Sequence, residues 1–489
     1  MKKQLVIIGL VTLLISVGLS GCTNTITSNS DRAKFIGSWD LRTTSQTIYT
    51  LNEDNSLLQY GFKVGNWSVK EGGILEFDFS LKGNLFNVSG NVLYNYVFSN
   101  NDNILTLRGV NSSASFVLIK SSSVSTGQTS DYTYTVMVGV AIITKYTGTG
   151  GAITIPSTLG GYPTVAIGYS DPSVFSGAFA SCSSLTSVTI PSSVTTIGTK
   201  AFYFCSSLTS VTIPSSVTTI GEFAFFGCSS LTSMIIPSSV TTIRNYTFDG
   251  CFSLTSVTIG SGVITIGEFA FSGCSSLTSV TIPSSVTIIG DSAFASCSSM
   301  TSVTIPNSVT IIGDSAFASC SSMTSVIIPD SVTTIVDGAF SGCSSLTSVT
   351  IPDSVTTIGN NSFASCSSLT SVTIPNSVIT IGFQAFYLCA LTSVTIPNSV
   401  TTIKENAFIS CSSMTSVTIG SGVTFIGDWA FYNCHSLISI TFLGLVAPTA
   451  VGFDWLTSTP GGLLGHASAS SNFPAPGDVW HGLTMGTVL

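Results

Sequence analysis

Twelve of the thirteen cysteines recur at a near-constant step: Cys182, Cys205, Cys228, Cys251, Cys274, Cys297, Cys320, Cys343, Cys366, Cys389, Cys411 and Cys434. Each step is 23 residues, except that from Cys389 to Cys411, which is one shorter because Ala390 replaces a Ser-Ser pair. Evenly spaced thiols invite a metal or disulfide reading. A tetrahedral metal site needs convergent pairs such as C-x-x-C or a Cys/His mixture, and one cysteine per step gives a straight ladder instead. In a stack of turns, adjacent Cα atoms would lie about 5 Å apart, within disulfide range, yet parallel Cβ vectors disfavour the required dihedral. A ladder of buried free thiols is the expected arrangement.

Two further columns share the beat. Glu222, Glu268, Asp291, Asp314, Asp337, Glu405 and Asp428 occupy one register, with Thr199, Asn245 and Asn360; Phe383 breaks the series. Stacked carboxylates can hold calcium, but Asp, Asn and Thr here would also open a short helical piece, where they cap free N–H groups. The other column is a set of hydroxyls. Ser187, Ser210, Ser279, Ser302, Ser348 and Ser371 belong to one row. Thr189, Thr212, Thr281, Thr304, Thr350 and Thr373 belong to a second, interrupted by Ile235 and Ile327. Such rows keep a strand face wet, and they also offer a periodic contact surface. Catalysis finds little footing. The histidines, His435, His466 and His481, all lie near the C-terminus, and no G-x-S-x-G, H-E-x-x-H or phosphate-cradling loop occurs. No cofactor or metal is expected.

The element that must position these columns is a unit reading A-F-x-x-C-S-S-L-T-S-V-T-I-P-S-S-V-T-T-I-G. A fixed period of this length signals a solenoid, in which each unit buries its apolar side only against its neighbours. In the unit that starts at Cys182, Leu185, Val188 and Ile190 face inward, Ser187 and Thr189 outward, and Pro191 ends the strand. Val194 and Ile197 return to the core, and Gly198 turns the chain into the short helical piece carrying Ala201 and Phe202. A dozen such turns make a parallel sheet roughly 55–60 Å long at ~4.8 Å per strand.

The recurring F-x-x-C-x-x-L-x-x-V-x-I-P order, over roughly residues 132–442, resembles the BspA-type leucine-rich repeats of bacterial and archaeal surface proteins. The resemblance implies a cell-surface or secreted protein, and adhesion to other proteins as its role. The repeats here are more uniform than in many leucine-rich binders.

Upstream, Met1-Lys2-Lys3-Gln4 precedes an apolar run that ends in Leu19-Ser20-Gly21-Cys22. This reads as a signal peptide over 1–22. The final four residues resemble the lipobox of prokaryotic lipoproteins, which implies lipidation of Cys22 and a membrane anchor. Residues 23–33 form a polar tether. Residues 34–120 alternate with period two over 47–51, 57–62, 66–69, 74–81, 92–98, 104–108 and 115–119, predicting a small antiparallel barrel or meander. Gly37-Ser38-Trp39 and Gly65-Asn66-Trp67 are similar to the G-x-W start of lipocalin-like barrels. Residues 121–131 read as a Ser/Thr linker, 132–445 as the leucine-rich solenoid with a degenerate start at Ala152-Ile153-Thr154-Ile155-Pro156, and 446–489 as a C-terminal cap.

Charged residues make up only 7% and the net charge is −8, so a nucleic-acid partner, which needs clustered Lys and Arg, is excluded. The expected fold class is a leucine-rich-repeat solenoid with a parallel β-sheet, preceded by a small all-β domain. The expected function is a lipid-anchored, exported surface protein that binds an extracellular protein. Two alternatives stand beside it: a carbohydrate- or lattice-surface binder using the Ser/Thr face, and a passive spacer that displays the N-terminal β domain.

Overall fold

The computed structural model describes strand backbone between residues 37 and 124 and, with side chains, residues 125–137, 139–169, 177–457 and 459–488. The signal segment, Cys22 and the tether lie outside the described residues. The chain divides into two units: residues 1–148 with 156–178, and residues 149–155 with 179–489.

In the first unit, eight strands form a closed antiparallel barrel: Gly37–Leu41, Thr47–Leu51, Ser56–Gln59, Phe62–Lys70, Ile74–Asp78, Asn91–Ser99, Ile104–Gly109 and Ser115–Lys120. The last strand pairs back onto the first, with Asp40 opposite Ile119. The sequence predicted seven strands. It missed Gly37–Leu41, and it read 57–62 as one strand where the chain reverses between Gln59 and Phe62. The segment 121–131, read as a linker, carries the strand Val124–Gln128, antiparallel to Tyr132–Met137. Thr129 secures that reversal, its Oγ1 accepting from the Tyr132 N–H at 3.1 Å. Tyr132–Met137 pairs in turn with Val140–Tyr146, and Tyr162–Ile167 adds to the latter in parallel.

The second unit is a solenoid with three hydrogen-bonded sides. The first side is a parallel sheet built from the S-V-T segments. Ser187, Val188 and Thr189 stand beside Ser210, Val211 and Thr212, and the same register recurs coil after coil. The degenerate start is in register too, since Ala152, Ile153 and Thr154 pair with Ser187, Val188 and Thr189. This sheet runs in three segments, breaking between Ser210–Thr212 and Ser233–Ile236 and again between Ser371–Thr373 and Ser393–Ile396. The second break coincides with the coil that is one residue short. The second side is a ladder of two-residue strands, such as Thr219–Ile220 and Thr242–Ile243.

The third side differs from the short helical piece expected. No helix forms among the described residues, so none there is long and apolar enough to cross a membrane. Each coil instead carries a turn with two left-handed positions, for example Ser292 (φ 52°) and Ser296 (φ 60°). The N–H groups at these positions donate across the stack, Ser292 to the Asp314 carbonyl at 2.8 Å and Ser296 to the Ala318 carbonyl at 2.7 Å. The Phe294 N–H does the same to Ala316 at 2.8 Å. A helix would direct these donors along its own axis and leave adjacent coils unjoined. Glycine takes the second left-handed position at Gly227, Gly250, Gly273 and Gly342, where the absence of Cβ removes the steric cost.

The core is a set of columns. From Phe179 to Phe431, twelve phenylalanine rings stack in line with centroids 5.0 to 5.7 Å apart. Trp455 meets the last ring edge-on at 6.1 Å and donates Nε1–H to the His481 carbonyl at 2.9 Å. Phe442, Phe473 and Trp480 cluster around that end, so the stack does not finish on an exposed apolar face.

Candidate binding face

Outward and inward side chains alternate along the first sheet. In Ser279-Val280-Thr281, Ser302-Val303-Thr304 and Ser348-Val349-Thr350, the hydroxyl residues are exposed and each valine is buried. Ser210, Thr212, Ser371 and Thr373 are likewise exposed; Ser187 is half-buried beside exposed Thr189. The strand period of two makes this arrangement, and coil-by-coil register aligns it into rows whose members step by about 4.8 Å from one coil to the next. Ile235 and Ile327 interrupt the Thr row as exposed apolar spots, 67% and 63% accessible.

Sequence reasoning missed a third row. The threonine before each Ser is also exposed, and its hydroxyl donates to the carbonyl of its counterpart one coil earlier: Thr209 to Thr186 at 2.9 Å, Thr232 to Thr209 at 3.2 Å, Thr255 to Thr232 at 3.0 Å. These hydroxyls are engaged within the protein. The signal was present in the Leu/Met-Thr-Ser order that recurs from Leu185 to Ser416. A fourth, internal row closes the turn after the proline, where Ser285 Oγ donates to the Val263 carbonyl and Ser308 Oγ to that of Val286, both at 2.6 Å.

The cysteines form the expected buried ladder. All twelve are free, and eleven are buried. Each buried thiol donates to a phenylalanine carbonyl of the preceding coil, as Cys205 does to Phe179 at 3.0 Å and Cys297 to Phe271 at 3.3 Å. Burial pushes the thiols of Cys297, Cys343 and Cys434 up to about 12, because a thiolate there would lose its hydration. A nucleophilic or redox role is thus disfavoured.

Aspartates of the acidic column act as caps, though between coils and not at helix starts. Asp291 Oδ1 accepts from the Asp314 N–H at 2.9 Å, Asp337 Oδ1 from Asn360 at 2.7 Å, and Asp428 Oδ1 from Phe453 at 2.7 Å. Asn245 and Asn360, both in Asn-x-Ser/Thr triplets, serve the same way toward Glu268 and Phe383. Asp314 is held above the usual carboxylate range by partial desolvation and then by its neighbours Asp291 and Asp337. Among the described residues, no group of three His, Cys, Asp or Glu side chains is placed to hold a metal ion. His466 Nδ1 lies 2.9 Å from the Thr487 carbonyl, and the His481 ring meets Trp480 edge-on with centroids 4.9 Å apart.

Comparison with known proteins identifies the repeat family. The family described as the BspA type leucine rich repeat region (6 copies) matches residues 172–298, 241–367, 289–412 and 333–447, together more than half of the chain. Among solved structures, the chain is 34% identical to a leucine rich cell surface protein from Faecalibacterium prausnitzii, covering 65% of this chain and 95% of that one with a TM-score of 0.46. A leucine-rich repeat protein from Bacteroides ovatus is 24% identical over 71% of this chain and 94% of its own, with a TM-score of 0.41. A leucine rich repeat protein from T. pallidum is 28% identical over 50% of this chain and 91% of its own, with a TM-score of 0.28. No curated protein matches. By its repeat unit, its coil geometry and the extent of the family match, this chain belongs to the BspA-type leucine-rich repeat family.

Proposed function

We propose that this is an exported, lipid-anchored surface protein whose solenoid binds other proteins through its first sheet. The observation that carries the reading is the exposed, in-register strand face, whose side chains vary so little over successive coils. A face of this kind is a contact surface and not a reaction chamber. Exposed Ile235 and Ile327 add apolar spots to it, which favours protein contact over a hydroxyl lattice matched to a crystal or polymer. The Faecalibacterium relative, described as a cell surface protein, supports the location.

Replacing Thr281, Thr304 and Thr350 together by lysine places three charges on a surface whose chemistry is neutral. Capture on an extracellular-matrix protein array is expected to fall at least about tenfold, or ~1.4 kcal/mol. Unchanged capture would remove this face from the proposal. If capture is lost instead on deleting residues 34–120, the barrel is the binder and the solenoid a spacer.

Anchoring depends on Cys22, because the thiol would carry the diacylglyceryl group. Cys22→Ala is expected to move the protein from the membrane fraction to the medium or the soluble fraction, read by fractionation and immunoblot. Retention on the membrane would overturn the anchor.

A further inference from the structure

The solenoid is so uniform that its departures from pattern stand out, and several of them meet at one place. Asn360, Phe383, Thr402, Lys404, Glu405 and Phe425 line a shallow depression of about 600 Å³, open to solvent, where the second side meets the turn side. Between Thr199 and Asp428, Phe383 alone breaks the column otherwise held by Asp, Asn, Glu or Thr. Phe425 stands where Thr357, Thr380 and Thr402 stand in the preceding coils, and Lys404 where Gly359, Gly382 and Gly427 stand. Lys404 and Glu405 belong to the coil that is one residue short. That coil also orphans Ser399, whose buried hydroxyl has no partner although Ser377 donates to the Val355 carbonyl at 2.6 Å.

The chemistry of the depression is specific. Phe383 is 37% accessible and Phe425 half-buried, and neither ring stacks on another aromatic among the described residues. They lie two coils apart, about 9–10 Å along the stack at ~4.8 Å per strand. Between them sit one ammonium and one carboxylate, neither held by a side-chain hydrogen bond or ion pair among the described residues. The backbone offers nothing to an added strand, since the Lys404 N–H donates to the Ile381 carbonyl at 3.0 Å and the Phe383 N–H to Asn360 Oδ1 at 2.9 Å. The site therefore presents two apolar plates, one free donor group, one free acceptor group and no net charge.

We propose that this depression binds a neutral oligosaccharide, with sugar rings against Phe383 and Phe425 and hydroxyl groups bonded to Lys404 and Glu405. A polyol matches each feature: its C–H faces pack on aromatic rings, its hydroxyls both donate and accept, and it carries no charge. A charged glycan would meet an opposing group of its own sign, and an extended peptide would find no free backbone edge.

The test restores the repeat. Phe383→Asp and Phe425→Thr reproduce residues found at the same positions in neighbouring coils, so the double variant is expected to keep the wild-type melting curve. The full chain and this variant are probed on an array of neutral oligosaccharides comprising glucans, mannans and N-acetylglucosamine oligomers. Wild-type protein should retain at least one of them, the double variant should bind it about tenfold more weakly or not at all, and K404M/E405Q should weaken it severalfold. Absence of any neutral glycan ligand, retention only of anionic glycans or peptides, or equal retention by the double variant would each overturn the proposal. Equal retention accompanied by loss in the Thr281, Thr304 and Thr350 variant would place sugar binding on the strand face instead.

Discussion

Between pH 9 and pH 10 this solenoid is expected to lose its stability abruptly. Eleven thiols are buried, and burial raises each above its ordinary value, to about 12 for Cys297, Cys343 and Cys434. In the unfolded chain the same thiols titrate near ~8.5. Below that pH they are neutral in both states and pH has no hold on them. Above it, the unfolded chain releases protons that the folded chain retains, so each thiol lowers stability by ~1.4 kcal/mol per pH unit. Coils that unfold together add their losses, up to ~15 kcal/mol per pH unit for all eleven, comparable to the whole stability of an ordinary domain. Urea midpoints measured from pH 7 to pH 10 should be flat at first and then collapse. Alanine at Cys274, Cys297, Cys320 and Cys343 should flatten the fall by about four protons' worth. A midpoint independent of pH through this window would mean that the thiols are not buried as described.

The second large effect concerns the aromatic stack. Phe294 is fully buried, with Phe271 at 5.3 Å on one side and Phe317 at 5.4 Å on the other. Phe294→Ala should cost ~3–5 kcal/mol, from lost burial and the cavity left behind. The same change in an isolated core would simply lower the midpoint. Here each coil is stabilised only by its neighbours, so the cavity weakens both interfaces of one coil at once. The denaturation curve should shift and broaden, as the coils before and after residue 294 lose their coupling. Circular dichroism and intrinsic fluorescence recorded in parallel should then report different midpoints. A loss below ~1 kcal/mol, with the two signals still coincident, would show that the stack does not carry the coupling.

Much of this was written in the sequence. The period placed the phenylalanines, cysteines and valines on the inside and the Ser/Thr rows on the outside, because alternation in a strand leaves few other arrangements. The third side was misread. Asp291 followed by Ser292-Ala293-Phe294 has the composition of a helix start, and local composition cannot reveal that the donors point to the next coil. The clue was length: only five residues separate Asp291 from Cys297, too few to complete more than a turn and a half of helix. An outer aromatic column escaped notice for a related reason. Phe223, Tyr246 and Phe269 stack at 4.7 and 4.8 Å, with Lys200 Nζ 5.8 Å from the first ring, but each sits at a left-handed position that normally selects Gly or Asn. The depression around Phe383 was visible only in part, as a break in one column. Its other members, Lys404 and Phe425, are far apart in sequence from Phe383 and adjoin it only through the coiling.

Residues 284–306 and 307–329 differ at two of their 23 positions, Ser284 against Asn307 and Thr304 against Ile327. Every ladder in the solenoid joins a residue to its counterpart in an adjoining coil, so the cut ends left by removing either stretch already match. Recombination between such near-copies would delete or duplicate a whole turn in frame, and the product would fold as its parent does. Copy number thus becomes a heritable dial on the size of the molecule, adjustable in steps that selection can sample without first repairing a damaged interior.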